Sequence, residues 1–286
     1  MRKKSGLMDV IDDEFMEWWR MIVLDACKPQ PEKKKIYQKI VTKSKVLVVG
    51  GTGYIGKTIV KASLAQGHIT YVLQRPEIGL DIDKLQILLS FKKKGARLVK
   101  ASFSDHKSLV NAVNQVDVVI CTMSGVHFRS HNITMQLKLV DAIKEAGNIK
   151  RFLPSEFGMD PARMVNALEP GRTEYAYTVM AMLKWFMDEE DIATYTIKSI
   201  DDPRTLNKTL YIRPKENILS QMQLIDKWER LSGNKLKKLN ISAEDFLDSM
   251  KGMDYASQVG NGSEEASELY PEVEYIRMES YLKHFL

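Results

Sequence analysis

A glycine-rich turn follows the first long apolar run of the sequence. The run covers residues 46–49, and a helix is expected over residues 56–66. The turn between them consists of Gly50, Gly51, Thr52, Gly53, Tyr54, Ile55 and Gly56. Glycine permits a tight turn, lets backbone N–H groups approach a pyrophosphate, and lets the helix pack closely on the strand. Because the positive end of the helix dipole would face that pyrophosphate, the pattern predicts a dinucleotide site, with a purely structural turn as the alternative.

The residue after the second predicted strand indicates which dinucleotide is bound. A site for NADH places Asp or Glu there to bond the ribose 2′-hydroxyl. This sequence has Arg75 instead, nineteen residues past Gly56, and a guanidinium suits the 2′-phosphate of NADPH through paired, charge-assisted hydrogen bonds. Lys84, on the next predicted helix, can add charge to the same phosphate. We therefore expect NADPH. The alternative is that Arg75 is an ordinary surface arginine and that Lys84 is a solvated lysine.

Alternating strands and helices must position these residues. Apolar runs predict five strands, over residues 46–49, 69–73, 96–100, 116–121 and 149–153. Leu85, Leu88 and Leu89 are expected on one face of the second helix, and Asp105 is expected to cap the third. Five strand–helix units in a row predict an α/β fold, a Rossmann-type doubly wound parallel sheet.

The predicted organisation has three parts. Residues 1–43 form an N-terminal extension, residues 44–202 the NADPH-binding domain, and residues 203–286 a smaller α/β substrate lobe. The lobe is expected to hold a strand around residues 210–212 and helices over residues 217–231 and 275–284.

Charge and cysteine content exclude several classes of protein. The formal net charge is +5, from 42 Lys and Arg against 37 Asp and Glu, and ten basic and seven acidic residues place +3 of it in residues 1–43. The remainder is too balanced for a nucleic-acid surface. Cys27 and Cys121 cannot form a disulfide framework, and Cys121 is expected to pack as a small hydrophobe. The short apolar run at residues 18–24 falls far short of the roughly 20 residues that span a bilayer, so we expect a cytoplasmic soluble protein with no membrane or nucleic-acid partner.

The N-terminal extension contains one segment with helical patterning. Residues 13–25 can form a short amphipathic helix, and the lysine-rich stretch after it is broken by Pro29 and Pro31, as a linker would be. A docking helix for a partner and a loosely ordered extension are the two interpretations.

Five stretches of the sequence resemble one family: VLVVGGTGYIGK, TYVLQRPEIGLDIDKLQ, SFSDHKSLV, VDVVICTMSGVHFRSH and KRFLPSEFGMDPARM. Read in order, they resemble the plant pinoresinol–lariciresinol reductases. These belong with the isoflavone-reductase-like and phenylcoumaran benzylic ether reductases among the NmrA-like atypical short-chain dehydrogenases. The resemblance covers residues 45–172 almost without a break and resumes at FMDEEDIATYTIKSIDDPRTLNKTLYIRP. The stretches GMDPARM and SGVHFRSH favour lignan reductases over their relatives.

The resemblance implies an NADPH-dependent reduction of furofuran and furan lignans, pinoresinol to lariciresinol and lariciresinol to secoisolariciresinol. In that family a lysine deprotonates a substrate phenol, the furan ring opens to a quinone methide, and the cofactor delivers hydride to the benzylic carbon. By matching position, the resemblance assigns the cofactor site to residues 50–56, Arg75, Lys84, Ser124, Gly125 and Phe157. Ser124 and Gly125 would lie along the cofactor, and Phe157 near the nicotinamide. The implied partner is a small phenolic lignan, and a homodimer is the assembly to be tested.

The substrate side departs from the family pattern. In the family a helix bearing the lysine follows soon after a Glu-Pro-Gly-Arg stretch, which ends here at Arg172, yet no lysine occurs before Lys184. A second loss falls after Gly260, where the family has an aromatic-rich substrate segment. These gaps imply internal deletions that can remove the sixth strand of the sheet. They leave the catalytic residue unassigned and keep open an NADPH-binding pseudoenzyme as the alternative function.

Other groupings of reactive side chains have plainer explanations. Tyr211 and Lys215 have the Tyr-x-x-x-Lys spacing of ordinary short-chain dehydrogenases, but Pro214 disfavours the helical turn that would put both on one face. His127 and His131 lie four positions apart without an acidic third ligand nearby, so no metal site is expected.

Overall fold

The computed structural model describes residues 43–76, 79, 81–123, 135–155, 157, 184–185, 187–238 and 264–286. These residues belong to two compact units. The first holds the described residues of Met1–Gly158 together with Thr196–Asn207, and the second holds those of Met159–Tyr195 together with Lys208–Leu286. Apart from Lys43, the predicted N-terminal extension lies outside the described residues.

A five-stranded parallel sheet organises the first unit. Its strands are β1 (Lys45–Val49), β2 (Ile69–Gln74), β3 (Arg97–Lys100), β4 (Val118–Cys121) and β5 (Arg151–Leu153). The strand order is β3-β2-β1-β4-β5, and every neighbouring pair is parallel. Within the described ranges no sixth strand extends this sheet. The predicted Rossmann-type α/β fold is confirmed.

A helix follows each of the first four strands. They are α1 (Tyr54–Ala65), α2 (Ile82–Lys93), α3 (His106–Val113) and α4 (Met135–Ala146). The predicted cap of α3 is confirmed, because the Asp105 side chain accepts a hydrogen bond from the Ser108 N–H. No helix within the described residues is long and apolar enough to cross a membrane.

The core of the first unit fills both faces of the sheet. Val46, Leu47 and Val48 of β1 have no exposed surface, which agrees with their all-apolar sequence. One face packs against apolar side chains of α3 and α4, namely Leu109, Val110, Val113, Leu139, Val140 and Ile143. Cys121 belongs to the same cluster and is fully buried, so its expected role as a small hydrophobe is confirmed.

Helix α2 does not bury the face that its leucines suggest. Leu88 is fully buried and Phe91 is 2% exposed, whereas Leu85 and Leu89 are 36% and 56% exposed. The expectation that the three leucines share one packed face was wrong. Phe91 lies three residues after Leu88, so these two side chains together set the buried face, which turns Leu85 and Leu89 outward.

Shorter elements follow β5 along the chain. They are β6 (Lys184–Trp185), α5 (Glu189–Ser199), β7 (Leu210–Tyr211), β8 (Ile218–Leu219), α6 (Gln221–Ser232), β9 (Glu264–Glu265), α7 (Ala266–Leu269) and α8 (Met278–Leu282). Strand β6 pairs antiparallel with β8, and β7 pairs parallel with β9. Tyr195, Ala266 and Tyr270 form the buried centre of the second unit.

Helix α6 begins four residues later than predicted. Asn217 is 2% exposed; its amide donates to the Ile276 carbonyl, and its carbonyl oxygen accepts from the Met278 N–H. These long-range hydrogen bonds fix the position of Asn217 outside the helix. The helix starts after Ser220, which forms a capping box with Gln223. The last predicted helix, over residues 275–284, is likewise shortened to Met278–Leu282, followed by a 3-10 turn, Lys283–Phe285.

Candidate functional site

The strand order of the sheet reverses between β1 and β4. In an open parallel sheet, the crevice at the carboxyl ends of two such strands is where ligands bind. Gly50 follows β1 directly, and Thr122 follows β4. The Thr122 N–H and hydroxyl both donate to the Val49 carbonyl, at 2.8 and 2.9 Å. This bond pair holds the ends of the two strands together at the crevice.

The glycine turn leaves no room for side chains. Gly50 has φ +86°, and a Cβ there would lie 2.8 Å from the Thr122 carbonyl oxygen. A Cβ on Gly56 would overlap the Gly50 carbonyl and lie 2.6 Å from the Thr122 hydroxyl. The turn, the helix start and the end of β4 thus approach each other as closely as backbone allows, which is the geometry that a pyrophosphate cradle requires.

The N-terminus of α1 is open to an anion. Gly53 occupies the cap position, and the helix has no side-chain cap and no acidic residue in its first turn. The Gly53 N–H donates to the Gly50 carbonyl at 2.9 Å, while the N–H groups of the first helical turn lack intrahelical acceptors. Lys57 lies with its ammonium 5.5 Å from the ring centre of exposed Tyr54 and adds positive charge to this end. Backbone N–H groups, the helix dipole and a cation together fit a pyrophosphate.

Arg75 lies directly after β2, as the sequence predicted. It is exposed. No hydrogen bond or ion pair joins its guanidinium to another residue in the described part of the chain. The side chain is therefore available for a bidentate phosphate contact.

Lys84 is held by a neighbouring carboxylate. Its Nζ lies 2.5 Å from Oδ2 of Asp81, which also caps α2 by accepting from the Lys84 N–H at 3.0 Å. The hydrogen bond from the Lys84 ammonium lowers the pKa of Asp81. A phosphate bound by Lys84 would have to compete with this ion pair, which the sequence did not indicate.

The ends of β4 and β5 are tied together by residues that the sequence analysis missed. The Ser155 hydroxyl donates to the Met123 carbonyl at 2.6 Å, and its N–H donates to Oε1 of Gln136, a residue of α4 that is 2% exposed. Phe157, two residues further on, is half-buried. Polar residues directly after buried strands are the signal that could have identified Ser155 and Thr122.

The remaining reactive groups form no catalytic constellation in the described residues. Tyr211 lies in β7, while Lys215 begins a 3-10 helix after Pro214 and pairs with Glu268 at 3.0 Å. The Tyr-x-x-x-Lys spacing is thus coincidental, as expected. The main chain of Lys184 lies in β6, paired with Leu219.

Several predicted residues fall outside the described part of the chain. These are Ser124, Gly125, His127 and His131. Among the described residues, no group of three His, Cys, Asp or Glu side chains could hold a metal ion. Burial raises the pKa of Cys121 to about 12, which makes this thiol a poor nucleophile.

Comparison with known proteins identifies the family. The model of the NmrA-like family matches residues 42–180 and 178–282. This chain belongs to the NmrA-like family. The isoflavone reductase homolog of Lupinus albus is 57% identical over 310 aligned positions, which cover 85% of this chain and 99% of the lupin protein. The bifunctional pinoresinol-lariciresinol reductase of Linum perenne is 52% identical, and the alignment covers 84% of this chain and 98% of the Linum protein.

Solved structures resemble the NmrA-like chain in the same way. AtPrR2 in complex with NADP⁺ and (+)pinoresinol aligns with a TM-score of 0.72 and 46% identity, covering 86% of this chain and 99% of that one. A crystal structure of isoflavone reductase aligns with a TM-score of 0.71 and 30% identity, covering 86% and 100%. The family resemblance predicted from the sequence is confirmed.

The alignment also shows that the NmrA-like chain is shortened internally. The alignment with the lupin protein covers 85% of the 286 residues of this chain, which is about 243 residues. The same alignment has 310 positions. About 67 positions of the relative therefore face gaps, although almost its entire length is matched. This supports the internal deletions that the sequence implied.

Proposed function

We propose that this chain binds NADPH at the carboxyl edge of its parallel sheet. The observation that carries the proposal is the glycine cradle between β1 and β4, where Gly50 and Gly56 leave no room for a Cβ and α1 presents an uncapped N-terminus. The backbone of residues 50–56 would hold the pyrophosphate, and Arg75 the 2′-phosphate. Lys84 would assist once it is released from Asp81. Ser124, Gly125 and Phe157 would line the path of the cofactor towards the nicotinamide.

We further propose that the chain reduces furofuran and furan lignans. Bound NADPH would supply the hydride. Relatives named as pinoresinol-lariciresinol reductases, at about half identity over nearly their full length, support this substrate class. At the ends of β4 and β5, the hydrogen bonds of Ser155 to Gln136 and Met123 would hold the start of the segment that leads to Phe157.

A second candidate function is an NADPH-binding protein without turnover. The lysine-free stretch between Arg172 and Lys184, together with the gaps in the alignment, favours it. The family resemblance would place these losses on the substrate side, whereas the residues proposed to hold the cofactor are present in the sequence. The two candidates therefore share the cofactor site and differ in catalysis.

Thermal unfolding with each cofactor tests the shared part. A ligand at about 100 times its Kd adds about 2.7 kcal/mol to the free energy of unfolding. NADPH should raise the midpoint and NADH should not, and Arg75→Ala should remove this preference. Lys61→Ala, which removes an exposed positive charge from α1, is the matched control and should behave as the wild type. A wild-type protein that NADPH does not stabilise would refute both candidates.

Turnover separates the two candidates. Pinoresinol and lariciresinol are incubated with the purified chain and NADPH, and the products are separated by chromatography. Formation of lariciresinol or secoisolariciresinol supports the reductase, whereas stabilisation by NADPH without product supports the binding protein. The predicted homodimer stays a prediction, which sedimentation equilibrium of the same sample tests.

A further inference from the structure

An apolar stripe lies on the exposed side of helix α2. Ile82, Leu85 and Leu89 are 72%, 36% and 56% exposed, while Leu88 and Phe91 fill the core. At 100° per residue, positions 82, 85 and 89 fall within about 60° around the helix axis, so they form one continuous strip. Scattered exposed apolar residues are ordinary, but a continuous strip on a helix marks a contact surface.

Positive charge extends this stripe at its C-terminal end. Lys92, Lys93 and Lys94 are all exposed, and the first two belong to the last turn of α2. Lys92 and Lys93 lie about 20° to either side of the stripe in helical projection. No acidic side chain in the described ranges pairs with any of the three. The surface therefore fits an amphipathic segment whose apolar face ends in negative charge.

We propose that residues 13–25 of the same chain dock on this stripe as an amphipathic helix. This segment lies outside the described residues. Phe15, Trp18, Trp19 and Ile22 recur at the spacing i, i+3, i+4 and i+7, which places them on one helical face. Their large apolar surface matches the uncovered stripe.

Charge sets the direction of docking. Residues 9–25 contain six acidic residues and a single basic one, Arg20. Three of the acidic residues, Asp13, Glu14 and Glu17, lie at the start of the segment, and Asp12 directly precedes it. They meet the lysines at the end of α2 when the segment runs antiparallel to that helix, with Ile22 towards Ile82. Opposite charges at that end select this direction over the reverse.

The connecting chain is long enough for this arrangement. Residues 26–42 can span roughly 55 Å when extended. The twelve residues of α2 are about 18 Å long. Strand β1 is separated from β3, the strand that α2 leads into, by two strand spacings of about 5 Å each. The linker therefore reaches from Lys43 to either end of the stripe.

Cleavage by an arginine-specific protease tests the docking. Arg20 is the only arginine between residues 3 and 74, so the lysine-rich linker stays intact during the assay. Cleavage of the Arg20–Met21 bond in the full chain, followed by mass spectrometry, should be slower than in a synthetic peptide of residues 9–27. Leu89→Glu should speed cleavage about tenfold, equivalent to about 1.4 kcal/mol, because a carboxylate pressed against apolar side chains is costly to desolvate.

A matched substitution controls for added charge. Gln86→Glu places the same carboxylate at an exposed position of α2 outside the stripe, beyond the i, i+3 and i, i+4 spacing from the three lysines, and should leave the cleavage rate unchanged. Phe15→Glu, which alters the segment and leaves the stripe unchanged, should have the same effect as Leu89→Glu. Equal cleavage rates in the full chain and the peptide, or in wild type and Leu89→Glu, would overturn the proposal. Protection that disappears on tenfold dilution would assign the stripe to a second copy of the chain instead.

Discussion

Asp191 places a carboxyl group in the interior of the second unit. It is 5% exposed, and its Oδ2 accepts a hydrogen bond from the Ile276 N–H at 2.7 Å. Burial raises the pKa of Asp191 from 3.8 to about 6. The Ile276 N–H opposes this rise, and the carboxylates of Asp188 and Glu190 add to it. The folded protein thus binds a proton at Asp191 more tightly than the unfolded chain does.

The sign of the effect on stability follows from this difference. The protonated carboxyl contributes its full stabilisation below pH 3.8, and that contribution is lost as the pH rises through about 6. The two pKa values correspond to a loss of at most about 3 kcal/mol. Asp191→Asn keeps an acceptor for the Ile276 N–H and has no proton to lose. As the pH rises from 4.5 to 7.5, the free energy of unfolding of the variant should therefore increase relative to that of the wild type by about 1–3 kcal/mol.

Urea unfolding at a series of pH values measures this gain. The free energy of unfolding is determined for wild type and Asp191→Asn, and the difference is plotted against pH. Titrations elsewhere in the chain cancel in that difference. Glu189→Gln is the matched control because it removes a half-exposed carboxylate from the same helix turn, and its difference should stay nearly flat. A flat difference for Asp191→Asn as well would refute the claim that burial of this carboxyl is costly at neutral pH.

Three further substitutions test separate parts of the fold. Gly56→Ala should lower the free energy of unfolding by about 1–3 kcal/mol and abolish stabilisation by NADPH, because the new methyl group overlaps the Gly50 carbonyl. Thermal unfolding with and without NADPH measures both effects, and Gly79→Ala, where a Cβ meets open space, should show neither. Asn217→Ala should lower the free energy of unfolding, measured with urea, by about 2–4 kcal/mol, because it leaves two backbone groups of the C-terminal segment without their partner. An unchanged free energy of unfolding would show that water replaces the amide. Ser220→Ala should cost about 1 kcal/mol through loss of the α6 capping box, and Ser220→Asp, which retains a cap, should restore most of it.

Local features of the sequence carried much of the fold prediction. The all-apolar residues 46–49 predicted a strand buried on both faces, and Asp105 predicted the start of α3. Both signals lie within a few residues: a continuous apolar run marks a strand buried on both faces, and the Asp105 side chain caps an N–H three residues further on. The glycine turn belongs to the same class, because a left-handed residue and a close helix start are requirements of the local backbone.

The candidate site was predicted only in outline. Arg75 follows β2 as expected, but the ion pair of Lys84 with Asp81 is seen only in the structure. Thr122 became part of the cradle because the pairing of β4 with β1 brings it beside Gly50, 72 residues earlier in the chain. The position of Thr122 directly after a buried strand marks it as a candidate, but only the pairing of β4 with β1 shows that it meets Gly50.

The order of strands and helices along the chain, the glycine turn after β1 and the family can all be read from the sequence. The tertiary structure decided which face of α2 is buried, where α6 begins and which polar groups meet at the ends of β4 and β5. Turns, caps and periodicity reflect free energies that act over one or two helical turns, so a single stretch of sequence contains them. Burial of Leu88 rather than Leu89, or the bonds of Asn217 to residues about 60 positions away, depends on how distant segments share one core, and that competition is resolved only when the whole chain packs.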